Sequence, residues 1–218
     1  GGRCSNGYAD CVHIIFGAWH SYANINDPLK ADSGVEKYLK LGADSLNLAK
    51  IQIPKQSSCI VLTAFPGRNS DNSFSQDNMI TTFNYLENED CLHFLSLVED
   101  HEFSEYCQQD VLATEANKRS INWHHLPIVD MKIPEKNVLN KIISLRSDFT
   151  KAITSGYSIG IHCKGGLGRS GTIAAVILVD LGFSSKTAIE TVRKFRPGAI
   201  ETKEQEAFVS SIKPFGAG

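Results

Sequence analysis

Residues 170–181 are apolar on nearly every side of a helix, and positions 173–179 form an unbroken apolar run of seven residues. Such a helix has no face to offer water, so it must be central and buried. The run is far too short to cross a membrane. Just upstream, residues 157–162 read as a strand with Tyr157, Ile159 and Ile161 on one face, and the turn between the two carries Gly165, Gly166 and Gly168. A strand feeding a buried helix is the repeating unit of α/β folds, and the rest of the chain must supply its neighbours.

It does so from residue 57 onward. Residues 59–65 form a β-rich run ended by Pro66-Gly67. Met79, Ile80, Phe83 and Leu86 have helical spacing. Residues 91–98 are nearly all apolar, as in a strand buried on both faces. A polar stretch, 101–118, holds short helices, and 121–125 is a further strand. Pro134 opens a long helix, where its missing N–H costs nothing. Val138, Ile142, Leu145, Phe149 and Ala152 line that helix, and Gly156 ends it. Ala188, Ile189, Val192 and Phe195 mark another helix before Pro197-Gly198, and a last one runs from Thr202 to about Ile212. The expected fold is α/β, a central, mainly parallel sheet flanked by helices. Residues 57–218 form its domain, and 1–56 form an N-terminal extension of unknown role. Within that extension 12–16 suggests a strand and 31–41 a helix. Cys4, Cys11, His13 and His20 match no zinc spacing.

Composition narrows the function. The 218 residues carry a formal charge of −2, which argues against nucleic-acid binding by bulk positive charge. The chain can bury about 70% of its unfolded surface, so it needs no disulfide or metal staple. Its six cysteines, at 4, 11, 59, 91, 107 and 163, include no CxxC pair. Reduced thiols and a cytoplasmic location are therefore expected. The opening Gly1-Gly2-Arg3 has no signal-peptide pattern; without an initiator Met, a missing native N-terminus is expected.

The segment between the buried strand and the buried helix is His162-Cys163-Lys164-Gly165-Gly166-Leu167-Gly168-Arg169-Ser170. Its glycines let backbone N–H groups turn inward as a nest that binds a phosphate-sized anion at a helix N-terminus. The same field favours a thiolate at Cys163. Arg169 offers a planar fork for two phosphate oxygens. Cys and Arg bracketing such a turn describe a nucleophile inside a phosphate cradle. It is not a Walker loop, because the Gly-Lys-Ser/Thr ending is absent. Asp130 follows the strand at 121–125. If that strand runs parallel to the one ending at His162, Asp130 and Cys163 reach the same sheet edge, and Asp130 can protonate a departing oxygen. Its competing reading is a loop acid or a cap near Pro134.

This Cys-x5-Arg-Ser pattern resembles the protein tyrosine phosphatase superfamily, and residues 59–212 resemble its small dual-specificity group, most like the kinase-associated phosphatase type and its bacterial relatives. Two further segments carry the likeness: His124-His125-Leu126-Pro127-Ile128-Val129-Asp130 and Arg196-Pro197-Gly198-Ala199-Ile200-Glu201-Thr202. The resemblance implies a metal- and cofactor-free hydrolysis of phosphotyrosine, extending to phosphoserine and phosphothreonine, on protein substrates. Cys163 becomes a phosphocysteine, and Asp130 acts first as acid and then as base. Lys164, Gly165, Gly166, Leu167, Gly168 and Arg169 hold the phosphate. The Ser170 hydroxyl eases departure of the Cys163 sulfur or, in a competing reading, caps the helix. His162 orients the loop backbone, and Lys164 points outward to touch substrate. Gln205 either places the hydrolytic water or serves the capping box begun by Thr202, and Glu201 stands where the family carries Gln. Leu167 replaces a second lysine found in phosphoinositide phosphatases, which weakens a lipid substrate. A shallow site is expected.

Two other classes stay open: a phosphate-binding module without turnover, and another cysteine-based anion enzyme such as an arsenate reductase or sulfurtransferase. His101-Glu102-x-x-Glu105 lacks the second His of a metalloprotease motif. The adjacent His124 and His125 face opposite sides of a strand and cannot share a metal.

Overall fold

Alternating apolar runs and amphipathic segments are realised as one five-stranded sheet in a computed structural model that describes residues 47–214. The strands are β1 (Leu48–Gln52), β2 (Cys59–Thr63), β3 (Cys91–Ser96), β4 (Asn122–His125) and β5 (Ser158–His162). Their order is β1-β2-β5-β3-β4. Both β2 and β5 are buried at every residue, as continuous apolar runs at the centre of a parallel sheet should be. The β2·β5, β5·β3 and β3·β4 pairs are all parallel, and only the edge strand β1 runs antiparallel. The carboxyl ends of four strands therefore gather at one edge, where sites of open α/β sheets form.

Seven helices are described: α1 (Gln76–Asn88), α2 (Asp100–Phe103), α3 (Gln109–Lys118), α4 (Lys136–Thr154), α5 (Gly168–Asp180), α6 (Ser185–Phe195) and α7 (Lys203–Ser211). Two apolar clusters show how they cover the sheet. Ile60, Leu62, Ile159 and Ile161 pack with Phe149 of α4, Ile173 and Ile177 of α5, and Val192 of α6. Val61 and Phe94 pack with Phe83 and Leu86 of α1 and Leu112 of α3. Gly160 lets that second layer come close: a Cβ there would lie 2.7 Å from Phe94 and 2.8 Å from Leu86.

Several expectations need correction. The sheet begins before residue 57, because β1 pairs with β2 from Leu48↔Thr63 to Gln52↔Cys59. β1 does alternate buried and exposed residues, but it is five residues long with only Ala49 and Ile51 buried, so its local signal is short. The long helix starts at Lys136 behind the N-cap Glu135, so Pro134 lies ahead of the cap rather than in the first turn. Tyr157 precedes β5 and is exposed instead of sharing a face with Ile159 and Ile161. The buried helix begins at Gly168, two residues earlier than its apolar pattern, which brings Arg169 into its first turn. The strand and helix expected at 12–16 and 31–41, and the Cys and His residues there, lie outside the described residues.

Candidate active site

Phe65 and Arg196 hold the turn after β5. Phe65 N–H donates to the Lys164 carbonyl at 3.2 Å. The Arg196 guanidinium donates through Nε to the Gly166 carbonyl at 3.0 Å and through Nη2 to the Gly165 carbonyl at 3.1 Å. Fixing successive carbonyls on the outside leaves their amides free for the inside of the turn. Gly166 has φ +71°, and a Cβ there would stand 2.6 Å from the Thr63 backbone, so no other residue fits. At Gly168 a Cβ would meet the Glu201 carboxylate at 2.3 Å.

Cys163 lies at the bottom, 3% exposed. Its Sγ accepts the Gly166 N–H at 3.2 Å and is 3.5 Å from the Ser170 Oγ. Leu167 occupies the N-cap position of α5, so Ser170 is inside the helix and the capping alternative for it falls away. His162 is fully buried beneath, with its ring stacked on Phe94. Burial pushes its imidazole down to about 3, so it is neutral. Its Nδ1 faces the Cys163 carbonyl at 3.3 Å, which requires Nδ1 to carry the proton, and its Nε2 is 2.6 Å from the Ser96 Oγ. Ser96 then donates to Nε2 while accepting from Trp123 Nε1 at 2.7 Å. This chain of donors fixes the ring and the loop's first carbonyl.

Arg169 is 1% exposed and is paired with Glu102, Nη1 to Oε2 at 2.6 Å and Nη2 to Oε1 at 2.9 Å. Nη1 also donates to the Ile128 carbonyl at 3.0 Å, and Nη2 lies 3.0 Å from Asp130 Oδ1. Burial opposes this cation, but the Glu102 bonds and the nearby Cys163 and Asp130 outweigh it and hold Arg169 above its ordinary value. Glu102 is buried too; desolvation pushes its carboxyl up, yet Arg169 and the Glu99 N–H bring it below the usual carboxylate range. Arg169 Nε is buried and has no hydrogen-bond partner among the described residues. An idle donor of this kind is expensive unless an oxyanion arrives to use it.

Asp130 comes from the β4 side. The extended segment after β4 is tied to the sheet by Leu126 N–H to the Ser96 carbonyl at 2.9 Å and Ile128 N–H to the Leu97 carbonyl at 3.0 Å. Its carboxylate, 59% exposed, sits over the nest on Arg169. The parallel pairing of β3 with both β4 and β5 brings Asp130 and Cys163 to one edge, as anticipated.

The Lys164 side chain points outward, but its ammonium rests on Glu105, 2.7 Å from Oε2 and 2.9 Å from Oε1. Gln205 is fully buried and completes the capping box, accepting the Thr202 N–H at 3.3 Å and the Glu201 N–H at 2.9 Å. Its Nε2 also donates to the Lys132 carbonyl at 3.3 Å, which ties α7 to the turn holding Asp130. Gly165 has no atom within 4 Å of a Cβ position and faces open space. Among the described residues no group of three or more His, Cys, Asp or Glu is arranged to hold a metal, and no helix is long and apolar enough to cross a membrane.

Two contributors were missed from sequence. Glu102 appeared only as part of a failed metal motif; a buried arginine demands an acid partner, but 24 acidic residues offered no means of choosing. Arg196 stood in a recognised segment with no role attached, and nothing local reveals that it reaches back to 165–166.

A family model described as Swiss Army Knife protein, DSP-PTPase phosphatase domain, matches residues 74–209. Among curated proteins, a probable protein tyrosine phosphatase type IVA A of Dictyostelium discoideum is 34% identical over 38% of this chain and 50% of its own length. Human cyclin-dependent kinase inhibitor 3 is 32% identical over 41% of this chain and 42% of its own. The chain thus spans about half the length of such relatives. A crystal structure of kinase-associated phosphatase, with serine replacing its catalytic-site cysteine, superposes with TM-score 0.62 at 24% identity, covering 75% of this chain and 92% of that one. At that identity the likeness is one of fold.

Proposed function

Since the chain belongs to the DSP-PTPase phosphatase domain family, we propose that it is a cysteine-dependent phosphatase that hydrolyses phosphotyrosine, and also phosphoserine and phosphothreonine, on protein substrates. The observation that carries this reading is the pairing of a buried thiol, receiving a backbone N–H from Gly166, with a buried Arg169 whose Nε has no partner among the described residues. Arg169 and the inward amides supply the positive field for the phosphoryl oxygens, so the reaction needs no metal or cofactor. Lys164, Gly165, Gly166, Leu167, Gly168 and Arg169 line the phosphate.

In the first step Cys163 Sγ bonds to phosphorus, the ester P–O bond breaks, and Asp130 gives its proton to the leaving oxygen. The incoming phosphate takes over the Arg169 donors, which frees Asp130 from its 3.0 Å contact with Nη2 to face the leaving group. In the second step water attacks the phosphocysteine, Asp130 takes the water's proton, and the Sγ–P bond breaks. The Ser170 hydroxyl, 3.5 Å away, stabilises the departing sulfur. The reading is tested with p-nitrophenyl phosphate in the presence of a chelator. Turnover should persist and should fall by at least about 10³-fold in Cys163→Ser. Undiminished turnover by that variant would sink it.

A further inference from the structure

Behind the segment that carries Asp130 lies a pocket of about 400 Å³ that the proposed reaction does not use. Its apolar wall is Pro127, Val129 and Val138. Its acids are Glu99 and Asp100, at the start of α2, and Glu135, the N-cap of α4. Neighbouring side chains of an extended segment point opposite ways, so Asp130 turns to Arg169 while Val129 lines the pocket. Pocket and nest therefore stand on the two sides of one stretch of backbone. Among the described residues Glu99 and Glu135 have no ion-pair partner, and Asp100 reaches only His125, at 3.7 Å, with its own side chain 85% exposed. No lysine or arginine lines the pocket, and His101 is its one basic group. Carboxylates gathered without a cation repel one another, a cost that an arriving cation removes. No three of these groups are arranged to hold a metal ion. The occupant must instead reach acids on two rims and also cover an apolar wall.

Resting on the phosphatase reading, we propose that this pocket is a specificity subsite for an arginine side chain two or three residues from the phosphorylated one on a peptide substrate. An arginine divides as the pocket does. Its methylenes can lie along Pro127, Val129 and Val138, and its planar guanidinium can take carboxylates from both rims. Two or three extended residues span about 7–10 Å, which carries a peptide from the nest across the Asp130 segment. An alanine at the same place answers neither the wall nor the acids.

The test measures binding to the Cys163→Ser protein, which does not depend on turnover. Calorimetry scans a phosphotyrosine peptide in which arginine, norleucine or alanine is placed in turn at three positions on either side of the phosphotyrosine. At one of the outer positions arginine should bind about three- to tenfold more tightly than alanine, and norleucine should keep only part of that gain. Adding Asp100→Asn or Glu135→Gln should shrink the arginine-to-alanine ratio, and adding Glu135→Lys should invert it. Equal binding of the arginine and alanine peptides, an equal gain from norleucine, or a ratio that survives Glu135→Lys overturns the subsite. So does a gain of one size at every position, which long-range attraction alone would give. Turnover of the alanine peptide by the unaltered protein tests the phosphatase reading separately: its absence counts against catalysis and leaves the binding ratios to decide the subsite.

Discussion

The loop proposed to carry the nucleophile and the loop proposed to carry the acid meet at one guanidinium and are built in opposite ways. Residues 163–170 are fastened by Arg196, by the Phe65 amide and by a glycine that no side chain can replace. Asp130 is reached by an extended segment with two backbone ties to the sheet, and its carboxylate is mostly in solvent. The chemistry explains the contrast. Stabilising charge on phosphorus rewards donors that need no reorganisation. Delivering and retrieving a proton at a leaving group demands a side chain that substrate and water can reach.

The comparison breaks first at Asp130 if it is wrong. Asp130→Asn should lower kcat about 10²- to 10⁴-fold on phenyl phosphate. The loss should be smaller on p-nitrophenyl phosphate, whose leaving group departs with less help. Stability should change by no more than about 0.5 kcal/mol, as for an exposed surface residue. Equal losses on both substrates would remove Asp130 from the acid role. At Glu102 the balance should reverse. Glu102→Gln leaves the buried Arg169 without its counter-charge and should cost about 3–5 kcal/mol in denaturant unfolding, a penalty Asp130→Asn should not share.

The smallest effect concerns pH. Burial pushes His162 down to about 3, and burial with the adjacent His124 pushes His93 down to about 4. An unfolded chain takes up protons at these positions near 6.5. Their contribution to stability is therefore complete above about pH 6.5 and is lost as pH falls toward 4. Unfolding midpoints at pH 7, 5.5 and 4.5 should decline, and His93→Asn should flatten that decline. A pH-independent midpoint across this window would show that the rings are not held neutral.

The legibility of this protein divides along the same line. The nucleophile loop could be read locally because its chemistry is contiguous: cysteine, glycines and arginine must follow one another to wrap a single anion. The strands and helices from residue 57 onward showed in their apolar periodicity, since a buried face repeats every two or 3.6 residues. The edge strand β1 was passed over although it alternates in the same way, because five residues with two buried side chains make a short pattern. Gln205 stood between cap and site in the sequence; the fold gives it the capping box, sets its amide against Gly168 of the loop, and adds a bond to the Lys132 carbonyl that no local pattern contains.

By itself, the sequence determined that a buried strand and helix flank a glycine-rich turn with a thiol at its base, because backbone conformation and hydrophobic period are local properties. Only the tertiary structure decided which of 24 acids neutralises Arg169, which arginine braces the turn, and that Lys164 rests on Glu105. Those choices are made between groups far apart in the chain. Distance in space, set by the parallel order β2-β5-β3-β4, governs them, and no interval along the sequence encodes it.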